Sequence, residues 1–282
     1  MENDRRRWLA AAILAAGVGL AARRRDALSS SGAAGAAAIG TAVCGAGGPR
    51  AAALLLIFFG SSTLLSRSSR RDDTTAKTQT RDQSGPRRTL AQVLANGGVP
   101  ATFALLSLRT RSPRVMAAYA GALAAANADT WATEIGRRSA TPPRMITTGQ
   151  VAPPGVSGAV TPLGLVASLA GAGLVGVASA TLYRRQPAHA LGIAAAGMAG
   201  SLADSVLGAT LQAVYVCRLC AQRTEDRGHR HDDSPPALTL TRGLPIMTND
   251  TVNLCASLTG AAIGTIFGGG TLARGMSTPH DE

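Results

Sequence analysis

The chain has 282 residues, 46% of them hydrophobic and only 3% aromatic, with a formal charge of +12. That length admits one helical membrane domain or two soluble ones, and basic residues scattered between apolar segments argue against a nucleic-acid interface and for membrane topology. Four cysteines, two of them inside apolar segments, argue against a secreted disulfide framework.

Apolar stretches free of Lys and Arg recur at residues 8–22, 29–48, 51–66, 90–108, 115–136, 158–183, 188–216 and 248–273. Several approach the roughly 20 residues that a spanning helix needs, so the expected fold is all-α, a polytopic membrane protein of six to eight transmembrane helices. With eight crossings, the loops of one side hold 18 of the 28 Lys and Arg residues, and that side is expected to face the cytoplasm. Lys77 is the single lysine among the 28, so part of the arginine excess reflects codon bias. The short first segment, with three arginines at each end, also reads as a targeting or anchoring piece.

Residues 1–66 are Ala/Gly-rich, and Gly32, Gly35, Gly40, Gly45 and Gly60 are expected to let helices approach closely. A flexible basic loop is expected at 67–86. A helical membrane core follows at 87–273, with a Cys/His loop at 217–247, and a tail at 274–282. The core opens with GPRRTLAQVLANGGVPA, in which Arg87 and Arg88 precede a helix carrying Gln92 and Asn96 on one face. Gly97, Gly98 and Pro100 are expected to break or kink that helix at membrane depth.

The stretch AAANADTWATEIG at 124–136 organises the rest, because Asn127, Asp129 and Glu134 interrupt an apolar run. Ionisable groups at membrane depth mark functional sites. In a regular helix Asn127, Thr130 and Glu134 share a face while Asp129 points roughly 160° away from it. Either these groups serve different neighbours or the helix is locally unwound.

The next loop contains RMITTGQVAPPGVSG, whose Arg144, Thr147, Thr148, Gly149, Gly155 and Ser157 supply charge, hydroxyls and backbone amides suited to an anion. Ordinary interhelical loops share this composition. The segment GMAGSLADSVLGATLQ aligns Ser201, Ser205, Gly208 and Gln212 on one stripe with Asp204 beside it. The last segment begins TNDTVNL, placing Asn249, Asp250 and Asn253 in its first turns, where Asp250 can also act as a helix cap.

Asp129, Glu134, Asp204 and Asp250 therefore lie in apolar segments that contain no Lys or Arg. Each costs roughly 2.5–3.5 kcal/mol or more at a helix centre, so a metal, a transported cation, protons or loop arginines must relieve them. Hard oxygen donors favour Mg2+, with Asn127, Asp129, Asp204, Asn249, Asp250 and Asn253 as candidate ligands. The four acids are the catalytic candidates, and Arg87, Arg88 and Arg144 with Thr147, Thr148, Gly149, Gly155 and Ser157 are the phosphate-binding ones. That combination fits phosphoryl or nucleotidyl transfer. A cation- or proton-coupled secondary transporter, or a lipid-phosphate carrier, would use the same acids. A scaffold whose acids pair with a partner's arginines is a third reading.

Cys217 and Cys220 form a CxxC pair followed by His229 and His231, a spacing that suits a structural zinc or an ordinary reduced thiol pair. His189 and His280 are expected to be solvent-facing loop residues.

Across residues 87–264 the stretches QVLANGG, NADTWATEIG, ITTGQVAPPGVSG, GSLADSVLGATLQ and NDTVNL occur in that order. With them the chain resembles an integral membrane family that includes transmembrane protein 19 and the plant and cyanobacterial phytyl-phosphate kinase. The Cys/His loop is also similar to one seen in some prokaryotic members. The resemblance implies a multi-pass protein whose partners are the lipid bilayer and an isoprenoid phosphate substrate. For the plant branch it implies a kinase that adds a second phosphate to phytyl phosphate from a nucleoside triphosphate, feeding tocopherol and phylloquinone synthesis. The membrane implied is a chloroplast envelope or other plastid membrane in a photosynthetic cell, and an endomembrane or plasma membrane otherwise.

Overall fold

A computed structural model describes residues 2–73, 87–110, 112–229 and 237–267. Most of the expected 67–86 loop, His231, His280 and the 274–282 tail lie outside these residues. The described residues form helices α1 (Glu2–Arg24), α2 (Ser30–Asp73), α3 (Leu90–Thr110), α4 (Pro113–Gly136), α5 (Pro162–Leu182), α6 (Pro187–Thr210) and α7 (Asn249–Phe267).

The 44-residue α2 is not one straight rod. A straight helix of that length would hold its ends about 66 Å apart. Yet Arg67 Nη2 donates to the Arg25 carbonyl at 2.7 Å, and Thr63, Ser66 and Arg67 line a small cleft with Ala27 and Arg88. The reversal falls at Gly48, whose φ of 72° is left-handed, followed by Pro49, which lacks an N–H. The two arms match the apolar segments expected at 29–48 and 51–66, and among the described residues four helices, α2, α3, α5 and α6, are long and apolar enough to cross a membrane. Helix continues through residues 67–73, where a flexible loop was expected, because an established helix extends at little cost through good formers such as arginine.

A second correction concerns α3, which runs unbroken through Gly97, Gly98 and Pro100. Gly97 lies against Ile39 of α2, so the glycine provides close approach rather than a break, and neighbouring helices tolerate the buried proline. A third concerns the expected 188–216 segment. Its helix ends at Thr210, and the β-branched and aromatic Val214, Tyr215 and Val216 enter a strand.

Helix α4 is the centre of the bundle, packed against α2, α3, α5, α6 and α7. Residues 117–128 are buried and mostly alanine, which allows approach from all sides. A Cβ on Gly260 or Gly264 of α7 would collide with the backbone of α4 near Gly121 and Ala117. On the outside, Ile13, Val166, Leu191 and Ile266 are exposed, as lipid-facing residues of a membrane bundle are. The buried Tyr119 hydroxyl is answered across helices: its Oη donates to the Ala51 carbonyl of α2 at 2.6 Å.

Contacts between helix ends sort the loops. The end of α1, both ends of α2, the start of α3, the end of α4, the start of α5, the end of α6 and the start of α7 share one end of the bundle. Two small sheets add to the all-α bundle there. Strands β1 (Arg144–Met145) and β2 (Ala159–Val160) pair antiparallel, and β3 (Val214–Cys217), β4 (Arg223–Thr224) and β5 (Leu238–Arg242) form a sheet of order β4-β3-β5.

Candidate functional site

The polar residues of α4 divide between two sides of a regular helix, which settles the choice between different neighbours and unwinding. Asn127 is fully buried; its Oδ1 accepts from Ser61 Oγ at 2.9 Å and Ser62 Oγ at 3.4 Å, and its Nδ2 donates to the Gly171 carbonyl at 2.8 Å. Its amide thus joins α2, α4 and α5, away from Asp129. Two turns on, Glu134 Oε1 accepts from Ser66 Oγ at 2.6 Å, and Arg88 Nη2 reaches the same hydroxyl at 3.4 Å. Asp129 instead faces α6, where its carboxyl lies within hydrogen-bonding reach of Asp204.

Asp204 Oδ1 is buried without a hydrogen-bond partner among the described residues. Glu225, in the loop after β4, is close enough to Asp204 to act on it electrostatically. Its carboxylate is tightly held: Ser157 N donates to Oε1 at 3.3 Å, while Ser157 Oγ at 2.7 Å and Gln212 Nε2 at 2.6 Å donate to Oε2. The supporting loop sits against α6 because Gly158, with φ of 84°, leaves no room for a Cβ beside Ala209. Three acids from α4, α6 and the loop after β4 therefore converge at the loop-bearing end. Sequence reasoning missed Glu225, which sits in a polar stretch with no periodicity; Gln212 was the nearest signal.

The phosphate-binding candidates fall into two groups. Arg87 pairs with Asp26 at 2.5 Å, and Arg88 is fixed by backbone bonds to Ala27 at 3.1 Å and Ser29 at 3.0 Å, beside α1 and α2. Arg144 at the start of β1 lies exposed, as do Thr147, Thr148, Gly149 and Gly155 on the β1–β2 loop. There the Gly149 amide bonds Met145 O at 2.8 Å, and Arg144 Nη1 donates to the Gly149 carbonyl at 2.8 Å. The donors of Ser157 hold the chain's own Glu225 carboxylate. So the part of this loop nearest the acids already binds an anion, supplied by the protein.

Asp250 is the second residue of α7 and half-buried, with Asn249 exposed before it and Asn253 half-buried one turn later. Thr248 caps the helix, its Oγ1 accepting from Thr251 N at 3.3 Å. Among the described hydrogen bonds, none joins these three residues to Asp129 or Asp204. Cys217, Cys220 and His229 do come together, with ligand atoms all within 4.8 Å of one another. His189 corrects its expectation: it is buried in the first turn of α6, its Nε2 3.0 Å from Ser179 Oγ, because Pro187 starts the helix early enough to turn it into the bundle.

A family model described as integral membrane protein DUF92 matches residues 13–261. An uncharacterized membrane protein of Methanocaldococcus jannaschii is 33% identical over 180 residues, which cover 64% of this chain and 62% of that protein. The chain thus spans less than two thirds of the archaeal relative. Protein PGR of Arabidopsis thaliana is 29% identical over 201 residues, covering 62% of this chain and 67% of that protein. No solved structure matches significantly. With its family match running from α1 into α7 and its lipid-facing helices gathered around α4, the chain belongs to the DUF92 family of multi-pass integral membrane proteins.

Proposed function

We propose that this protein is a membrane-embedded kinase that converts an isoprenoid monophosphate of the phytyl type to the diphosphate, using a nucleoside triphosphate and Mg2+. The observation that carries the reading is the meeting of Asp129 and Asp204, with one Asp204 oxygen buried and unpartnered among the described residues. Two carboxylates in contact need a positive charge or a shared proton between them, and an all-oxygen donor set suits a hard divalent ion. Asp129 and Asp204 would hold Mg2+, with Glu225 adding negative charge close by. Asn127 leaves the ligand set because its amide is fully occupied in helix packing. When bound, Mg2+ would supply positive charge that offsets the charge developing on the phosphates.

The depth of the acids supports a lipid substrate. Asp129 lies seven residues before the end of α4 at Gly136, about 10 Å inside the loop-bearing end. A phosphate headgroup reaches that level while its isoprenoid chain stays among the exposed apolar residues of the helices. Transport sites lie near the bilayer midplane, so this shallow position favours surface chemistry over a path across the membrane. The acceptor is already a phosphate, with its second pKa near 6, so it is largely dianionic at pH 7 and needs no strong general base. What the chain must do is bring two anions together and orient them. Arg144 at the start of β1 and Arg88 beside Glu134 would contribute to that work.

The test is incubation of purified protein in detergent with γ-labelled nucleoside triphosphates and phytyl or geranylgeranyl monophosphate. Labelled lipid diphosphate that vanishes with a chelator is the expected result. Folded protein giving none with any donor would overturn the reading.

A further inference from the structure

We propose that Cys217, Cys220 and His229 form a zinc site that clamps the loop carrying Glu225 onto the end of the bundle. Strand β3 ends at Cys217 and turns back into β4 through a tight turn. Ala221 N donates to the Cys217 carbonyl at 2.8 Å, and Cys217 N donates to Gln222 O at 3.0 Å. Ala221 takes a left-handed φ of 56° to complete it. The turn aims the amides of Cys220 and Leu219 at the Cys217 sulfur, which fixes its position beside Cys220.

The third ligand is brought back by a second turn. Asp226 N bonds Thr224 Oγ1 at 3.1 Å, Gly228 N bonds Asp226 Oδ1 at 2.7 Å, and His229 follows with Nε2 3.4 Å from Cys220 Sγ. The three ligand atoms lie within 4.8 Å of one another, and both thiols are free. Bonds of about 2.3 Å to sulfur and about 2.0 Å to nitrogen would draw them together only slightly. Two thiolates and an imidazole select zinc over the hard cations suited to the carboxylate pair.

The consequence lies in what the clamp encloses. Between Cys220 and His229 run β4 and Glu225, so a bound metal fixes the segment that presents Glu225 to Ser157 and Gln212. The zinc site stands on its own geometry and does not depend on the kinase reading.

The experiment is metal analysis of the full chain, purified in detergent under reducing conditions after zinc supplementation, and of the same protein reconstituted with Co2+. About one zinc per chain is expected, with sulfur-to-cobalt charge-transfer absorption in the cobalt form. In the Cys217→Ser/Cys220→Ser variant zinc falls at least about tenfold, and His229→Ala weakens it while helical circular dichroism is retained. The wild-type readout alone decides the matter if a variant fails to fold. Wild-type protein that holds no zinc and develops no cobalt–sulfur band would overturn the proposal, as would equal metal content in the double-cysteine variant.

Discussion

Asp129 and Asp204 meet because each lies one helical turn beyond a pair of small residues in contact. Gly200 of α6 packs on Ala125 of α4 so closely that a Cβ on the glycine would collide with the alanine, and Gly197 sits likewise on Ala124. The contacts advance in the same direction along both chains, so α4 and α6 run parallel. Four residues on from Ala125 and from Gly200 stand the two acids. Close packing of two helices thus sets two carboxyls against each other.

Removing either carboxylate should stop the reaction without unfolding the bundle. Asp129→Asn and Asp204→Asn each keep the side-chain shape, and each is expected to lower turnover by about 100-fold or more. The double variant should be little worse than either single one, since the two act as a unit. Turnover on folded, detergent-purified variants checks this.

The small-residue contact makes its own prediction. Gly200→Val must push α6 away from Ala125, with an overpacking cost of about 1–3 kcal/mol and loss of activity as the acids separate. Gly173→Ala on α5, where nothing lies within 4 Å, should leave melting temperature and activity unchanged or slightly raised. Thermal unfolding in detergent compares the two.

Glu225 is predicted to matter for stability first. In Glu225→Ala the Ser157 hydroxyl loses its carboxylate acceptor and the buried Gln212 amide is left with Ser157 Oγ at 2.9 Å, at a cost of about 1–3 kcal/mol. Glu225→Gln keeps the shape and one acceptor oxygen and should recover part of that loss. A melting temperature that is unchanged in both variants would contradict the contact.

Arg144 is exposed at the start of β1, and among the described residues its guanidinium is bonded locally, to the Gly149 carbonyl. Arg144→Ala is therefore expected to leave the melting temperature in place while raising the KM for the phosphate substrates about tenfold. An unchanged KM would remove this loop from substrate binding.

Much of the bundle was legible because apolar run length is dictated by the bilayer, and even the reversal at Gly48 and Pro49 shows as a gap between runs. The acids Asp129 and Asp204 were legible because charge is rare at that depth. What could not be read is how helices turn toward one another. Asn127 and Asp129 are two residues apart, yet one ties α4 to α2 and α5 while the other faces α6, a division set by which small residues touch. Glu225 was hidden for a different reason. In a polar loop an acid carries no desolvation cost in the sequence, and only the tertiary partners Ser157 and Gln212 single it out. His189 was misplaced because Pro187 moves the helix start ahead of it.

The most direct measurement is transfer of γ-label from nucleoside triphosphate to isoprenyl monophosphate as Mg2+ is titrated, on wild-type protein and Asp204→Asn side by side. A paired-carboxylate metal site predicts Mg2+-dependent lipid diphosphate from the wild type and none from folded Asp204→Asn. Equal product from both proteins, or product that ignores Mg2+, would contradict it.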